Sequence, residues 1–89
     1  MLKDITKVKV VGDYKLQITF EDGVVGIIDV AALISFKGIF APLANSDYFA
    51  KVAVNPEIGT ICWPNDADLD PDVLYSMLTG EPLPIAEYA

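Results

Sequence analysis

The chain has 89 residues, 53% of them hydrophobic, which makes one small domain able to bury roughly 60% of its unfolded surface, and no apolar run nears the ~18 residues of a membrane span. Its net charge of −7 sets 13 acids against six lysines, with no arginine; that balance repels a polyanion and lacks the usual bidentate reader of guanine, which argues against direct nucleic-acid binding. With no histidine and one cysteine, Cys62, the chain cannot build Ser-His-Asp or Cys-His catalysis, an internal disulfide or a thiolate metal site.

The first ten residues, MLKDITKVKV, are charged throughout and hold neither an apolar stretch nor a small-residue cleavage site. No secretory signal is read there, and a cytoplasmic location is expected. Val8 and Val10 alternate with Lys7 and Lys9, and Tyr14, Leu16, Ile18 and Phe20 alternate with Lys15, Gln17 and Thr19, the period of two of a half-buried strand. Gly12-Asp13 supplies the turn between these runs. Asp22-Gly23 supplies the next, before a third run from Val24 to Ile28, because both residues tolerate positive φ in a tight hairpin. A three-stranded antiparallel meander follows, with Lys7, Lys9, Lys15, Gln17 and Thr19 on its wet face. An exposed edge of that meander would permit a homo-oligomer.

Between Asp29 and Lys51 the signals are shorter. Val30 to Ile34 reads as a helical turn capped by Asp29, and Asn45 or Ser46 would cap another through Tyr48 and Phe49. Turns this short are marginal alone, so Leu33, Phe36, Ile39, Phe40, Leu43 and Phe49 are expected to pack on the sheet. Two short strands, Lys51 to Val54 and Thr60 to Trp63, follow around the turn formers Pro56 and Gly59. Cys62 reads as a small core hydrophobe on the second.

The run CWPNDADLDPDVLY, from Cys62 to Tyr75, places aspartates at 66, 68, 70 and 72. A calcium loop of the EF-hand type beginning at Asp66 would fit at its first three ligands but has Pro71 where glycine makes the sharp turn and Met77 where a bidentate glutamate closes the cage. A magnesium site needs fewer carboxylates, yet no basic side chain stands near in sequence to complete it. A helix start explains more. Asp70 before Pro71 is an N-cap followed by proline at the first helical position, and Asp72 adds negative charge at the positive end of the dipole. Leu69 and Leu74 would close a hydrophobic staple, Val73, Leu74, Met77 and Leu78 would share one face, and Gly80 would end the helix in a left-handed cap. Pro64, Asn65 and Asp66 then form the turn that carries Trp63 into this helix, with Trp63 as an anchor for it through Val73 and Met77. Asp66 and Asp68 are left over as candidates for meeting a cationic partner.

The run from Thr60 to Tyr75, together with Tyr14-x-Leu16-x-Ile18-x-Phe20-x-Asp22-Gly23, Asp29 and its apolar turn, Phe40, Leu43, Phe49 and the Val52 to Val54 strand, resembles a family of short bacterial proteins known as domain of unknown function 2442 (DUF2442). The likeness covers about residues 5 to 76, and it departs at Asp66, where the family usually has glycine. The resemblance implies a two-layer α+β fold and no known activity. It also implies a genomic neighbour, a small protein of the domain of unknown function 4160 type (DUF4160), and hence a two-protein module of toxin-antitoxin type.

The reading is therefore an α+β, two-layer domain over residues 1–80: the meander, short helical turns, two further strands and a C-terminal helix, followed by a tail, residues 81–89. The expected function is a small acidic, non-catalytic protein-interaction module, with Asp66 and Asp68, or the tail, meeting a basic partner. Trp63, Pro64, Asn65, Asp70 and Pro71 form the structural motif. No cofactor, nucleic acid or membrane is expected. The alternative is a metal-dependent enzyme or small-ligand binder using the Asp66/Asp68 loop.

Overall fold

A computed structural model of the chain describes residues 3–80, so the candidate tail lies outside the described residues. The elements follow the order β1 (Ile5–Gly12), β2 (Lys15–Phe20), β3 (Val25–Asp29), α1 (Val30–Leu33), a 3₁₀ segment (Gly38–Ala44), α2 (Ser46–Phe49), β4 (Ala53–Asn55), β5 (Thr60–Cys62) and α3 (Pro71–Thr79). This is the expected α+β domain.

Strands β1, β2 and β3 form the antiparallel meander in that spatial order. The alternation of the second run does what its period requires: Leu16, Ile18 and Phe20 are buried with Ile28 across from them, and Lys7 and Lys9 lie opposite Thr19 and Gln17 on the wet face. The register adds Val25 and Ile27 to that face, opposite Thr19 and Gln17. They are 53% and 57% exposed.

Both turns differ in detail from the sequence reading. The first is Asp13-Tyr14, between the paired Gly12 and Lys15, and Tyr14 takes a φ of +56°. Tertiary contacts offset the cost of that left-handed backbone. The Tyr14 ring packs 5.0 Å from Phe36 and 5.4 Å from Phe49, and its hydroxyl donates to the Ala44 carbonyl. In the second turn only Gly23 takes positive φ, +92°. Its N–H reaches the Phe20 carbonyl at 3.0 Å, and the Asp22 carboxylate accepts from the Val24 N–H at 3.1 Å.

The helical segments and the second sheet cover the other face. Asp29 precedes α1 without a side-chain capping bond, so that turn is held by burial of Val30. Asn45, not Ser46, caps α2, accepting from the N–H groups of Asp47 and Tyr48 at 2.9 and 3.1 Å. Leu43 and Phe49 are core residues, whereas Ile39, expected there, is 51% exposed: the 3₁₀ segment, unforeseen in the sequence, repeats every three residues and turns it outward. Lys51 and Val52 still bond back to Tyr48 and Phe49, which delays β4 to Ala53. Gly59, at φ +71°, turns the β4–β5 hairpin, and its carbonyl accepts from the Ile5 N–H at 2.9 Å. The small sheet is thereby fastened to the start of β1.

Helix α3 begins and ends where its sequence signals place it. The Asp70 carboxylate accepts from the Asp72 N–H at 2.8 Å, and Gly80 closes the helix at φ +77°. Leu69 and Leu74 are both buried in the core cluster, as the staple requires. The buried side differs from the expected one: Tyr75 and Leu78 join Leu74 against the core, and Met77 is 51% exposed. The helix crosses β3 at Gly26, where a Cβ would come within 2.4 Å of Leu78 Cδ2. The Tyr75 ring stands edge-on to Phe20 at 4.9 Å, and its hydroxyl donates to Asp22 Oδ2 at 2.5 Å.

Candidate functional site

Residues 60–71 form one closed unit. Cys62 pairs with Asp68 across an antiparallel bridge, and Trp63 to Ala67 make the connection. The Asp66 N–H bonds the Trp63 carbonyl at 2.9 Å, closing a four-residue turn, and the Trp63 N–H bonds the Ala67 carbonyl at 2.9 Å. That second bond takes Trp63 out of β5, which ends one residue earlier than expected. Asp66 adopts φ +68°, the left-handed conformation that aspartate tolerates better than most residues.

Three side chains fasten this loop to the rest of the molecule. Asn65 Nδ2 donates to the Ile39 carbonyl at 2.8 Å, while its Oδ1 accepts from the Ala67 N–H at 3.2 Å. Trp63, 2% exposed, donates from Nε1 to the Phe49 carbonyl at 2.9 Å, with its ring 5.8 Å from that of Phe49. Trp63 is thus anchored to α2 by this bond and shares the core cluster with Leu74 of α3, whereas Met77, expected to pack on it, is exposed. The buried Thr60 hydroxyl donates to the Leu69 carbonyl at 2.7 Å. Thr60 is the structural residue that sequence reasoning missed; nothing in its neighbours signals it, because Leu69 reaches it only after the loop closes.

The spacing of the aspartates now has a physical origin. From Ala67 to Asp70 the chain runs extended, so alternate residues face opposite ways: Ala67 and Leu69 are buried, and Asp68 and Asp70 are exposed. The Asp70 carboxylate is used by the helix cap. Asp66 and Asp68 are exposed, and among the described residues their carboxylates take no hydrogen bond or ion pair. Pro64 is exposed beside them and Cys62 is half-buried rather than a core residue. No group of three His, Cys, Asp or Glu side chains among the described residues is placed to hold a metal ion. An open groove of about 540 Å³ lies elsewhere, between Lys7, Lys9, Gln17 and Thr19 on the sheet and Val52 to Val54. A second concavity of about 390 Å³ is lined by Tyr14 and Phe49 among others. Neither includes Asp66 or Asp68. Among the described residues no helix is long and apolar enough to cross a membrane.

The model of the family described as "Protein of unknown function (DUF2442)" matches residues 5–79 of the chain. No curated protein and no solved structure matches.

Proposed function

The chain belongs to the DUF2442 family, and we propose that it is a non-catalytic protein-interaction module that presents Asp66 and Asp68 on a fixed loop to a cationic surface of a partner protein. The observation that carries this reading is the pair of exposed carboxylates without a partner among the described residues, on a loop held by the Asn65, Trp63 and Thr60 hydrogen bonds. A carboxylate positioned in advance loses little freedom on meeting a lysine or arginine, and a net charge of −7 steers cationic surfaces toward the molecule. The partner in this reading is the small DUF4160-type protein that the family resemblance supplies, the two forming a toxin-antitoxin-like pair.

The test is co-expression with that neighbour, followed by binding measurements across a salt series. Association should weaken steadily as salt rises, and the Asp66→Asn, Asp68→Asn double variant should lose roughly 2- to 30-fold in affinity, the range for two solvent-exposed charge contacts. No association at low salt, or an affinity indifferent to both salt and the variant, would sink the proposal. A melting temperature raised by Mg²⁺, Ca²⁺ or Mn²⁺ in wild type but not in the double variant would point instead to metal chemistry at this loop.

A further inference from the structure

The two edges of the meander are not equivalent. At the β1 edge the β4–β5 hairpin lies alongside, joined by the Ile5 N–H to Gly59 carbonyl bond. At the other edge stands β3, with sequence VGIID. Its bonds to β2 are flanked by Phe20 N–H to Val24 carbonyl and Val30 N–H to Tyr14 carbonyl, both 2.8 Å, and in an antiparallel ladder the bonded pairs alternate. Gly26 and Ile28 therefore face β2, and the N–H and C=O groups of Val25 and Ile27 point outward. Helix α3 meets β3 from the buried face, through Leu78 over Gly26, and leaves that edge uncovered among the described residues. Edge strands ordinarily carry a lysine, a proline or a bulge that discourages pairing; β3 has none, and of its three residues on the outward side, Val25, Ile27 and Asp29, the first two are also its exposed apolar side chains.

We infer that β3 pairs antiparallel with β3 of a second copy about a twofold axis at Ile27, joining two meanders into one six-stranded sheet. The register follows from the length of the strand. It is bounded by the turn at Gly23 and by α1 at Val30, so only pairing centred on Ile27 uses all five residues, setting Ile27 opposite Ile27 and Val25 opposite Asp29. Charge selects the occupant. On this face the ionic side chains nearest the seam are Asp29 and, across from it in the same protomer, Lys15. Lys7 and Lys9 stand on β1, and in the joined sheet they lie roughly 24 Å from their counterparts, beyond a Debye length of ~8 Å. A strand carrying several charges finds only the Asp29 carboxylate, at the end of β3, and apolar residues or glycine from Val25 to Ile28, whereas a second copy brings matching apolar side chains and sets Asp29 opposite Val25 rather than opposite a like charge. The twofold-symmetric dimer, in which one patch meets its own copy, is also the commonest homo-oligomer. This surface is distinct from the Asp66/Asp68 loop, and the inference stands without the reading given for that loop.

The salt dependence separates the two surfaces. Two molecules of charge −7 repel at long range, so this dimer strengthens as salt rises, the reverse of loop binding to a cation. Sedimentation velocity up to about 1 mM protein, at low salt and at roughly 0.5 M NaCl, covers the affinities of a small interface. Wild type should dimerise with concentration, more so at high salt, while the Val25 and Ile27 amides gain exchange protection. Ile27→Lys places two lysines together at the axis, and Ile27→Pro removes an outward N–H that the fold does not use. Each should weaken dimerisation at least tenfold while dilute-solution melting is retained. A monomer at the highest concentration and salt overturns the inference, as does a dimer that survives both variants. Concentration-independent protection of Val25 and Ile27 that disappears in a chain ended at Gly80 assigns the edge to residues 81–89 and overturns it too.

Discussion

Replacing Thr60 by valine tests whether the loop is a built structural unit. Valine has nearly the same shape, so packing around the buried site is preserved, but the hydroxyl that donates to the Leu69 carbonyl at 2.7 Å is lost. No other bond to that carbonyl is present among the described residues, and Leu69 is itself buried. Removing one partner of a buried hydrogen bond costs about 1–3 kcal/mol, because the group left behind is neither paired nor hydrated. A domain of this size has a total stability of roughly 4–13 kcal/mol, so the loss is large, a fall in melting temperature of about 5–20 °C. Urea unfolding followed by fluorescence reads it directly, since Trp63 is the only tryptophan and sits in the same unit. Thr60→Ser is the control: it keeps the donor and loses one methyl, worth about 0.8 kcal/mol. The Asp66 and Ala67 amides should lose exchange protection in Thr60→Val and keep it in Thr60→Ser. A Thr60→Val protein within about 0.5 kcal/mol of wild type, the scatter of innocuous surface changes, would refute the argument that this bond closes the loop.

Three other outcomes follow from contacts outside that bond. Asp70→Ala removes the acceptor of the Asp72 N–H and should cost about 1 kcal/mol in urea unfolding, with Asp70→Asn close to wild type because asparagine caps equally well. Gly26→Ala sets a methyl 2.4 Å from Leu78 Cδ2; it should destabilise by about 1–3 kcal/mol, the usual cost of overpacking, and Leu78→Ala in the same chain should recover part of that loss. The Tyr75 hydroxyl, followed by the Val24 N–H, holds the Asp22 carboxyl below its ordinary value of 3.8. A lowered folded-state pKa stabilises above the unfolded value, and the benefit fades as pH falls below 3.8; an NMR titration should therefore find Asp22 titrating higher in Tyr75→Phe than in wild type.

Most of the architecture was legible because it rests on local signals. The alternation from Lys15 to Phe20, the Asp70-Pro71 start and the Gly80 stop each act within a few residues, and each sits where the pattern places it. The misplacements have a common physical cause, which is contact between segments far apart in sequence. Tyr14 is a turn residue because Phe36, Phe49 and the Ala44 carbonyl hold it. Met77 is outside and Tyr75 inside because Phe20 and Asp22 offer the latter an edge-on ring contact and an acceptor. Trp63 turns to α2 because a backbone carbonyl there satisfies its indole N–H. At the candidate site the sequence revealed that Asp70 and Asp72 serve the helix, and it could not reveal Thr60, whose partner is fixed only by the closed loop.

The four alternating aspartates thus divide by what the backbone does at each. Alternation from Ala67 to Asp70 is a packing pattern: the apolar side chains of Ala67 and Leu69 turn inward and the acids that alternate with them, Asp68 and Asp70, turn out. Asp70 returns its carboxylate to the backbone as a cap, and Asp72 lies in the first turn of the helix, where the dipole favours it. Asp66 follows a different logic. Its φ of +68° is one that glycine adopts at no steric cost, while a side chain there carries a penalty on the order of 1 kcal/mol. Nothing inside the described protein uses its carboxylate, so the fold receives no return for that penalty. A left-handed residue whose side chain has no role among the described residues directs attention outward, and Asp66 is therefore where the function proposed above puts the contact with a cationic partner.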